Sequence, residues 1–193
     1  MVELGPLEAR LEEAGIEAGE ARDLVKLVSE LLEKRALPYQ VAVSSSGEDA
    51  VLTALELGLV VPERPDSRCL EWDSCPIGPG TALELNPAAE AAIRALLEGR
   101  RALEGLEELF SELGLKGRRA YALAELSLEL AARRTVSGSR IASSCRSRGL
   151  EGLESTVIAI LKAAGVISPV LSSSWPSGDV RYRTCRFLAL LAP

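Results

Sequence analysis

Two stretches of the chain carry the same pattern, and this pattern decides the fold: residues 50–62, AVLTALELGLVVP, and residues 157–169, VIAILKAAGVISP. They align without a gap, so that Gly58 falls on Gly165 and the final prolines coincide. Each stretch predicts a helix that ends at a glycine, followed by a short apolar strand that ends at a proline. Because these breaks recur in the same order, the sequence predicts an internal repeat rather than a chance likeness between two Ala/Leu-rich helices.

The segments around the two stretches repeat as well. In each copy an amphipathic helix and a short second segment precede the aligned helix, and β-prone segments follow it. Ser46 and Asp49 have the spacing of a capping box, which predicts that a helix begins at residue 48. For the first copy we predict helices at 8–14, 18–36 and 48–57, a short segment at 39–43, and strands at 59–61, 69–72 and 81–85. For the second copy we predict helices at 118–134, 139–145 and 153–164, then apolar or β-prone stretches at 180–184 and 186–191.

Between the copies, the sequence predicts a helical linker. Asn86 is a favoured N-cap residue and Pro87 suits the first helical position, so a helix should begin there. Gly99 and Gly105 mark places where it could break. Its apolar positions fit a helix or broken pair packed between the copies, or a dimerisation helix. The predicted domains are the first repeat at 1–86, the linker at 87–115 and the second repeat at 116–193.

Charge is divided unevenly along the chain. The 193 residues have a net charge of −6, which on average argues against a nucleic-acid partner. Residues 1–112, however, hold 23 acidic and 10 basic side chains (net −13), whereas residues 113–193 hold 5 and 12 (net +7). Guanidinium groups suit phosphate oxygens, so the basic part predicts a phosphate-binding surface. The alternative is that the basic part docks onto the acidic part, in the same chain or in a dimer partner.

The second repeat resembles a known fold. The stretch from SRIA at residues 139–142 to LKAAGVI at residues 161–167 resembles the helix-turn-helix of winged-helix transcription regulators such as the MarR-like group. This resemblance is to the superfamily and covers about half of each copy. It implies a mainly α fold with small β-hairpin wings, of α+β class, in which two winged-helix domains in tandem are joined by the helical linker.

The two copies depart from this pattern in opposite directions. The second has a long loop at 146–152, whereas the first is short between Ala42 and Gly58, which predicts a degenerate second helix there. Tandem winged helices also occur in proteins that bind other proteins, such as kleisin-associated segregation factors and ESCRT-II subunits. The resemblance therefore leaves both DNA binding and a role as a protein adaptor open.

The candidate nucleic-acid surface lies on the second repeat. Arg181 and Arg183 alternate with Val180 and Tyr182, which predicts that both arginines lie on one face of a wing strand. On the recognition helix an apolar stripe predicts that Glu154, Ser155, Ile158 and Lys162 face outward, and that Leu153, Val157, Ile160, Leu161 and Ala164 are buried. Acidic residues at the start of this helix, such as Glu154, repel phosphates. The alternative explanation for them is that a negative charge at a helix N-terminus is stabilised by the helix dipole. The candidate DNA-binding residues are Arg140, Arg146, Arg148, Ser155, Lys162, Arg181, Arg183 and Arg186.

Several absences limit the chemistry. The chain has no His, which excludes His general bases, Ser-His triads and His metal ligands. Its four Cys form no C-x-x-C pair, and the glycine-rich turn at 78–81 lacks the Lys of a P-loop. We therefore expect neither an enzyme nor a cofactor. We also expect a cytoplasmic protein without a membrane partner, because residues 1–20 lack a secretory apolar region and the longest apolar stretch is shorter than the ~20 residues of a membrane span.

The cysteines and a few rare residues bear on stability. Cys69 and Cys75 bracket the first wing loop and could close it as a disulfide, and Cys145 and Cys185 could form a second bridge or be buried apolar residues. A cytosolic disulfide fits a hyperthermophile. The single Asn, Gln and Met fit one too, although the excess of Arg over Lys is equally typical of a GC-rich genome.

These observations predict a tandem winged-helix protein that binds double-stranded DNA through its second repeat, as a transcriptional regulator or chromosome-associated factor. Residues 1–113 would then serve for a homodimer or a protein partner. A symmetric dimer would place its basic repeats on half-sites about one helical turn apart. The alternative is an adaptor that uses both repeats without contacting nucleic acid.

Overall fold

The computed structural model describes residues 4–63, 77–170 and 179–192. The structure is mainly helical (62%), with two small antiparallel sheets of three strands each. The predicted α+β class is confirmed. Buried apolar side chains from both repeats and the linker form one continuous core. Among the described residues, no helix is both long and apolar enough to cross a membrane.

The first repeat places a small sheet beside its helices. The central strand lies antiparallel to both of its neighbours, and its Leu83 is fully buried opposite Leu37 and Pro62. The helix before the sheet is amphipathic and buries its apolar stripe. The elements of this repeat are α1 (Gly5–Glu13), α2 (Ala18–Lys34), β1 (Ala36–Pro38), α3 (Tyr39–Ser46), α4 (Glu48–Leu57), β2 (Val60–Pro62) and β3 (Ala82–Leu85).

The second repeat has the same order of elements from its long helix onward. The strand order also recurs, because the third strand again lies between the other two. Both aligned helices end where predicted, at Gly58 and near Gly165, and both of these glycines have a positive φ. After the linker helices α5 (Pro87–Leu97) and α6 (Ala102–Glu112), its elements are α7 (Arg118–Ala131), β4 (Thr135–Ser137), α8 (Gly138–Ser147), α9 (Glu154–Ala163), β5 (Ile167–Pro169), β6 (Arg181–Thr184) and α10 (Phe187–Leu190).

Several local predictions are corrected. Strands β1 and β4 were not predicted, because three residues are too few to show a period. The stretch at 186–191 contains the helix α10, which buries Phe187 and Leu188; Leu191, directly after the helix, is buried as well and continues the helical spacing. In a run so short, the apolar pattern does not distinguish strand from helix. The strand predicted at 69–72 lies outside the described residues, and β3 pairs with β1 and β2.

The connection between the paired helices differs in the two repeats. Ser46 does not cap α4; it is the buried last residue of α3, and α4 begins directly after Gly47 without a side-chain cap. The predicted capping box is therefore wrong, since α3 extends beyond residue 43. In the second repeat, residues 148–153 separate α8 from α9. The helix pair is accordingly tighter in the first repeat. The second helix of that repeat, α3, is nevertheless a regular helix of eight residues and not the degenerate helix that the short spacing predicts.

The linker is a broken pair of helices inside the molecule. Helix α5 contacts α1 of the first repeat and α10 of the second, whereas α6 packs on α7. The break falls at Gly99, not at Gly105, which lies within α6 against α5. A Cβ at Gly105 would lie 2.2 Å from the carbonyl oxygen of Ala91, so glycine allows this close helix crossing.

Two reciprocal contacts join the repeats. Asn86 follows β3, and Cys185 occupies the same place after β6; their amides donate to Leu59 and Val166 of their own repeats, each at 2.9 Å. Their side chains cross to the other repeat. The amide Nδ2 of Asn86 donates to the carbonyl of Gly165 (2.8 Å), and the thiol of Cys185 donates to that of Gly58 (3.2 Å).

Asn86 also caps α5, as predicted. Its Oδ1 accepts the Ala88 amide at 3.0 Å, and the same amide lies 2.9 Å from the carbonyl oxygen of Ala164. Gly165 has φ of +75°, and a Cβ there would lie 2.5 Å from the Asn86 side chain. Glycine therefore provides both the backbone conformation and the room for this contact. The fully buried Asn86 thus fixes the start of the linker to the end of α9.

The two described cysteines are free and buried. A bridge between Cys145 and Cys185 is therefore ruled out, and their alternative role as buried apolar residues is confirmed. Burial raises the pKa of the Cys185 thiol to about 12 and also raises that of Cys145. Cys69 and Cys75, the other predicted pair, lie outside the described residues.

Asn86→Ala should destabilise the fold by about 1–3 kcal/mol, because it removes a buried donor from Gly165 and the cap of α5 together. Urea unfolding followed by circular dichroism measures the loss. Ser137→Ala is the control, since the Ser137 hydroxyl caps α8 and contacts the Ser139 hydroxyl in bonds that are exposed to solvent, so its removal leaves no buried polar group without a partner. A loss at Asn86 no larger than at Ser137 would contradict the buried contact.

Cys145 and Cys185 should resist iodoacetamide at neutral pH in the folded protein and react fully in guanidinium chloride. The reason is that both thiols are buried and have raised pKa values, so the reactive thiolate is scarce. Mass spectrometry of the digested chain reports each site separately. Rapid alkylation of Cys185 without denaturant would show that the contact with Gly58 is open in solution.

Candidate nucleic-acid interface

The eight predicted DNA-binding residues fall into two groups in the structure. Three of them contact other parts of the chain: Arg148, Arg183 and Arg186. The side chains of the other five make no hydrogen bond or ion pair with another residue in the part of the chain that the structure describes, and all five residues are exposed: Arg140, Arg146, Ser155, Lys162 and Arg181.

Arg148 is held within the second repeat. Its guanidinium donates to the carboxylate of Glu129 on α7, and the two side chains are 25% and 38% exposed. Arg148 follows α8 directly, so this ion pair fixes the end of α8 against α7. Its charge is thereby partly neutralised before any ligand arrives.

Glu56 draws a group of arginines toward the first repeat. It lies on α4, and its carboxylate is 3.8 Å from the guanidinium of Arg134 and 3.7 Å from that of Arg186. Arg183 donates to the carbonyl of Glu56 at 3.5 Å. Basic and acidic parts of the same chain therefore do meet here. No local pattern in the sequence singles out Glu56, because the contact joins residues far apart along the chain.

Arg140 and Arg181 lie at neighbouring places on the second repeat. Arg181 begins β6 and is the register partner of Ser137 on β4. Arg140 is in the first turn of α8, and its amide donates to the Ser137 hydroxyl at 3.2 Å. Both arginines are therefore connected to one residue, Ser137. In β6 the predicted alternation holds for Arg181 and the buried Tyr182, but Val180 precedes the strand and is 42% exposed.

Helix α9 presents small side chains to solvent. Val157, Leu161 and the following Ala164 are buried as predicted, whereas Leu153 and Ile160 are only partly buried. Of the residues predicted to face outward, Ile158 and Glu154 are half-buried. The side chain of Ile158 packs against the core. The exposed positions of α9 are Ser155, Thr156, Ala159, Lys162 and Ala163.

Asp179 is a residue of this surface that the sequence did not single out. Its carboxylate accepts the Ser139 amide at 3.1 Å and the Ser139 hydroxyl at 2.5 Å. These hydrogen bonds, the one from the hydroxyl above all, lower the pKa of Asp179. The carboxylate thus lies against the N-terminus of α8, where the helix dipole favours a negative charge.

The corresponding face of the first repeat is acidic and apolar. Helix α4 exposes Glu48, Asp49 and Glu56, and Leu52 between them is 49% exposed. On α3, Val41 is 44% exposed. The two repeats therefore present surfaces of opposite character through the same pair of helices. Among the described residues, no cluster of three His, Cys, Asp or Glu side chains could hold a metal ion.

Comparison with known proteins gives a family but no activity. No curated protein and no solved structure matches the chain significantly. One family model does match, over residues 9–186, and the function of that family is unknown. The match spans most of both repeats and the whole linker. The chain belongs to this family of unknown function.

Proposed function

We propose that the chain is a tandem winged-helix protein whose second repeat binds double-stranded DNA. The observation that carries the proposal is the exposed set of cations on α8, α9 and β6, none of which has a partner among the described residues: Arg140, Arg146, Lys162 and Arg181. Phosphate oxygens are the ligands that such guanidinium and ammonium groups bind best.

The order of elements supports the winged-helix part of the proposal. In each repeat a long helix and a strand precede a pair of helices, and two strands follow and complete the sheet. In a winged helix the second helix of the pair enters the major groove and the last two strands form the wing. Helix α9 is then the recognition helix, and β5 and β6 are the base of the wing.

The exposed side chains of α9 fit contact with DNA but little reading of its sequence. Alanines at 159 and 163 allow close approach, and the hydroxyls of Ser155 and Thr156 can bond to any base pair. The helix has no outward Arg, Asn or Gln for a two-bond contact with one base, and its outward Lys162 lies in the last turn, away from the N-terminal residues with which a recognition helix contacts bases. We therefore favour a cytoplasmic protein that associates with the chromosome over a regulator that recognises one operator.

A protein partner on the first repeat is a second candidate function. The apolar Val41 and Leu52 are exposed on α3 and α4, beside the acidic residues that repel DNA. This surface fits the predicted role of residues 1–113 in a homodimer or in binding another protein. Binding of a protein partner there is compatible with DNA binding by the second repeat. If the chain is an adaptor, protein binding is its whole function.

Fluorescence anisotropy with a labelled duplex over a salt series tests DNA binding. Four phosphate contacts predict a slope of log affinity against log salt of roughly −3.6. Changing both Arg140 and Arg181 to Ala should weaken binding by about tenfold or more near 0.1 M salt and make the slope shallower by roughly 1.8.

The matched control changes Arg94 and Arg101 to Ala. This variant has the same net charge as the variant that lacks Arg140 and Arg181. Both control residues are exposed linker arginines that already pair with a glutamate, so their loss should leave the affinity for DNA unchanged. An equal loss in both variants would mean that only net charge matters. If the unmodified chain does not bind even near 50 mM salt, the DNA proposal fails and the adaptor remains.

A further inference from the structure

One side chain connects the wing to the paired helices. Asp179 lies two residues before β6, and both of its carboxylate oxygens accept hydrogen bonds from Ser139 at the start of α8. The backbone adds a further bond beside them, because the Gly138 amide donates to the carbonyl of Val180 at 2.8 Å. A Cβ at Gly138 would lie 3.3 Å from the carboxylate of Asp179, so the glycine leaves room for this close junction.

The first repeat makes the same junction without a side chain. There Tyr39, which matches Gly138, donates its amide to the carbonyl of Thr81 at 2.7 Å. The amide of Gln40, which matches Ser139, donates to the carbonyl of Pro79 at 3.0 Å. A carboxylate therefore replaces a backbone carbonyl only in the second repeat, where the next residue of the helix is Arg140 rather than an apolar valine.

This replacement has an electrostatic cost for binding an anion. A carboxylate near the cations that meet phosphates repels those phosphates, so Asp179 should lower affinity if charge were its only effect. What it provides in return is geometry. It holds the strand that carries Arg181 to the first turn of the helix that carries Arg140, and both arginines are joined to Ser137 between them.

We propose that Asp179 is a positioning residue for DNA binding, which fixes the wing to α8 so that Arg140 and Arg181 meet phosphates at a set separation. This inference rests on the proposed function. The gain in affinity comes from fixing the backbone positions that carry the two cations before the ligand arrives, so that binding has to order only their side chains.

Two variants with the same charge separate positioning from electrostatics. Asp179→Asn and Asp179→Ala both remove the negative charge, but only asparagine keeps an oxygen that can accept the Ser139 amide. We expect Asp179→Asn to bind duplex DNA at least as tightly as the unmodified chain. We expect Asp179→Ala to bind about three- to tenfold more weakly than Asp179→Asn, with the same salt slope in both variants because the number of cations is unchanged.

A third variant guards against misfolding at position 179. Ser139→Ala removes the hydroxyl bond and leaves the carboxylate in place, so it should weaken DNA binding while the unfolding midpoint stays close to that of the unmodified chain. Equal affinity of the two Asp179 variants, or no effect of Ser139→Ala, overturns the positioning role alone. Failure of the unmodified chain to bind DNA overturns the proposed function, and the positioning role with it.

Discussion

The buried amide of Asn86 is the contact on which the arrangement of the two repeats depends. It caps the first linker helix and at the same time donates to the carbonyl of Gly165, at the end of α9. A buried polar group without partners costs free energy, so the two repeats are stable in the arrangement that satisfies both ends of this side chain. Cys185 makes the reciprocal contact with Gly58, and the continuous apolar core surrounds both.

This arrangement also determines which charges remain for a partner. Because α4 of the first repeat comes close to β6, its Glu56 contacts Arg134 and Arg186 and brings Arg183 to its backbone. Of the candidate DNA-binding cations, those that stay exposed and have no partner in the described part of the chain lie on α8, α9 and the start of β6. The excess positive charge of residues 113–193 (net +7, against −13 in residues 1–112) is therefore used in two ways. Some basic residues contact the acidic part of the same chain, and others stay exposed on the surface.

The features of this fold that can be predicted from the sequence are those whose determining signals are local. The glycines that end the aligned helices, the N-cap Asn86 and the alternation of Arg181 with Tyr182 all depend on neighbours within a few residues. Strands β1 and β4 could not be predicted, because three residues become a strand only when a distant partner supplies the hydrogen bonds. Glu56 and Asp179 were missed for the same reason, since their roles depend on pairs separated by many residues along the chain.

We propose that the second repeat contacts DNA through α8, α9 and β6 while the first repeat does not. Hydrogen–deuterium exchange of the full chain, with and without a saturating duplex, tests it directly because it reports each segment in one experiment. If the second repeat binds the duplex, exchange slows at residues 138–163 and 179–184 and stays unchanged in α3 and α4. Protection confined to the first repeat, or no change anywhere, would contradict it.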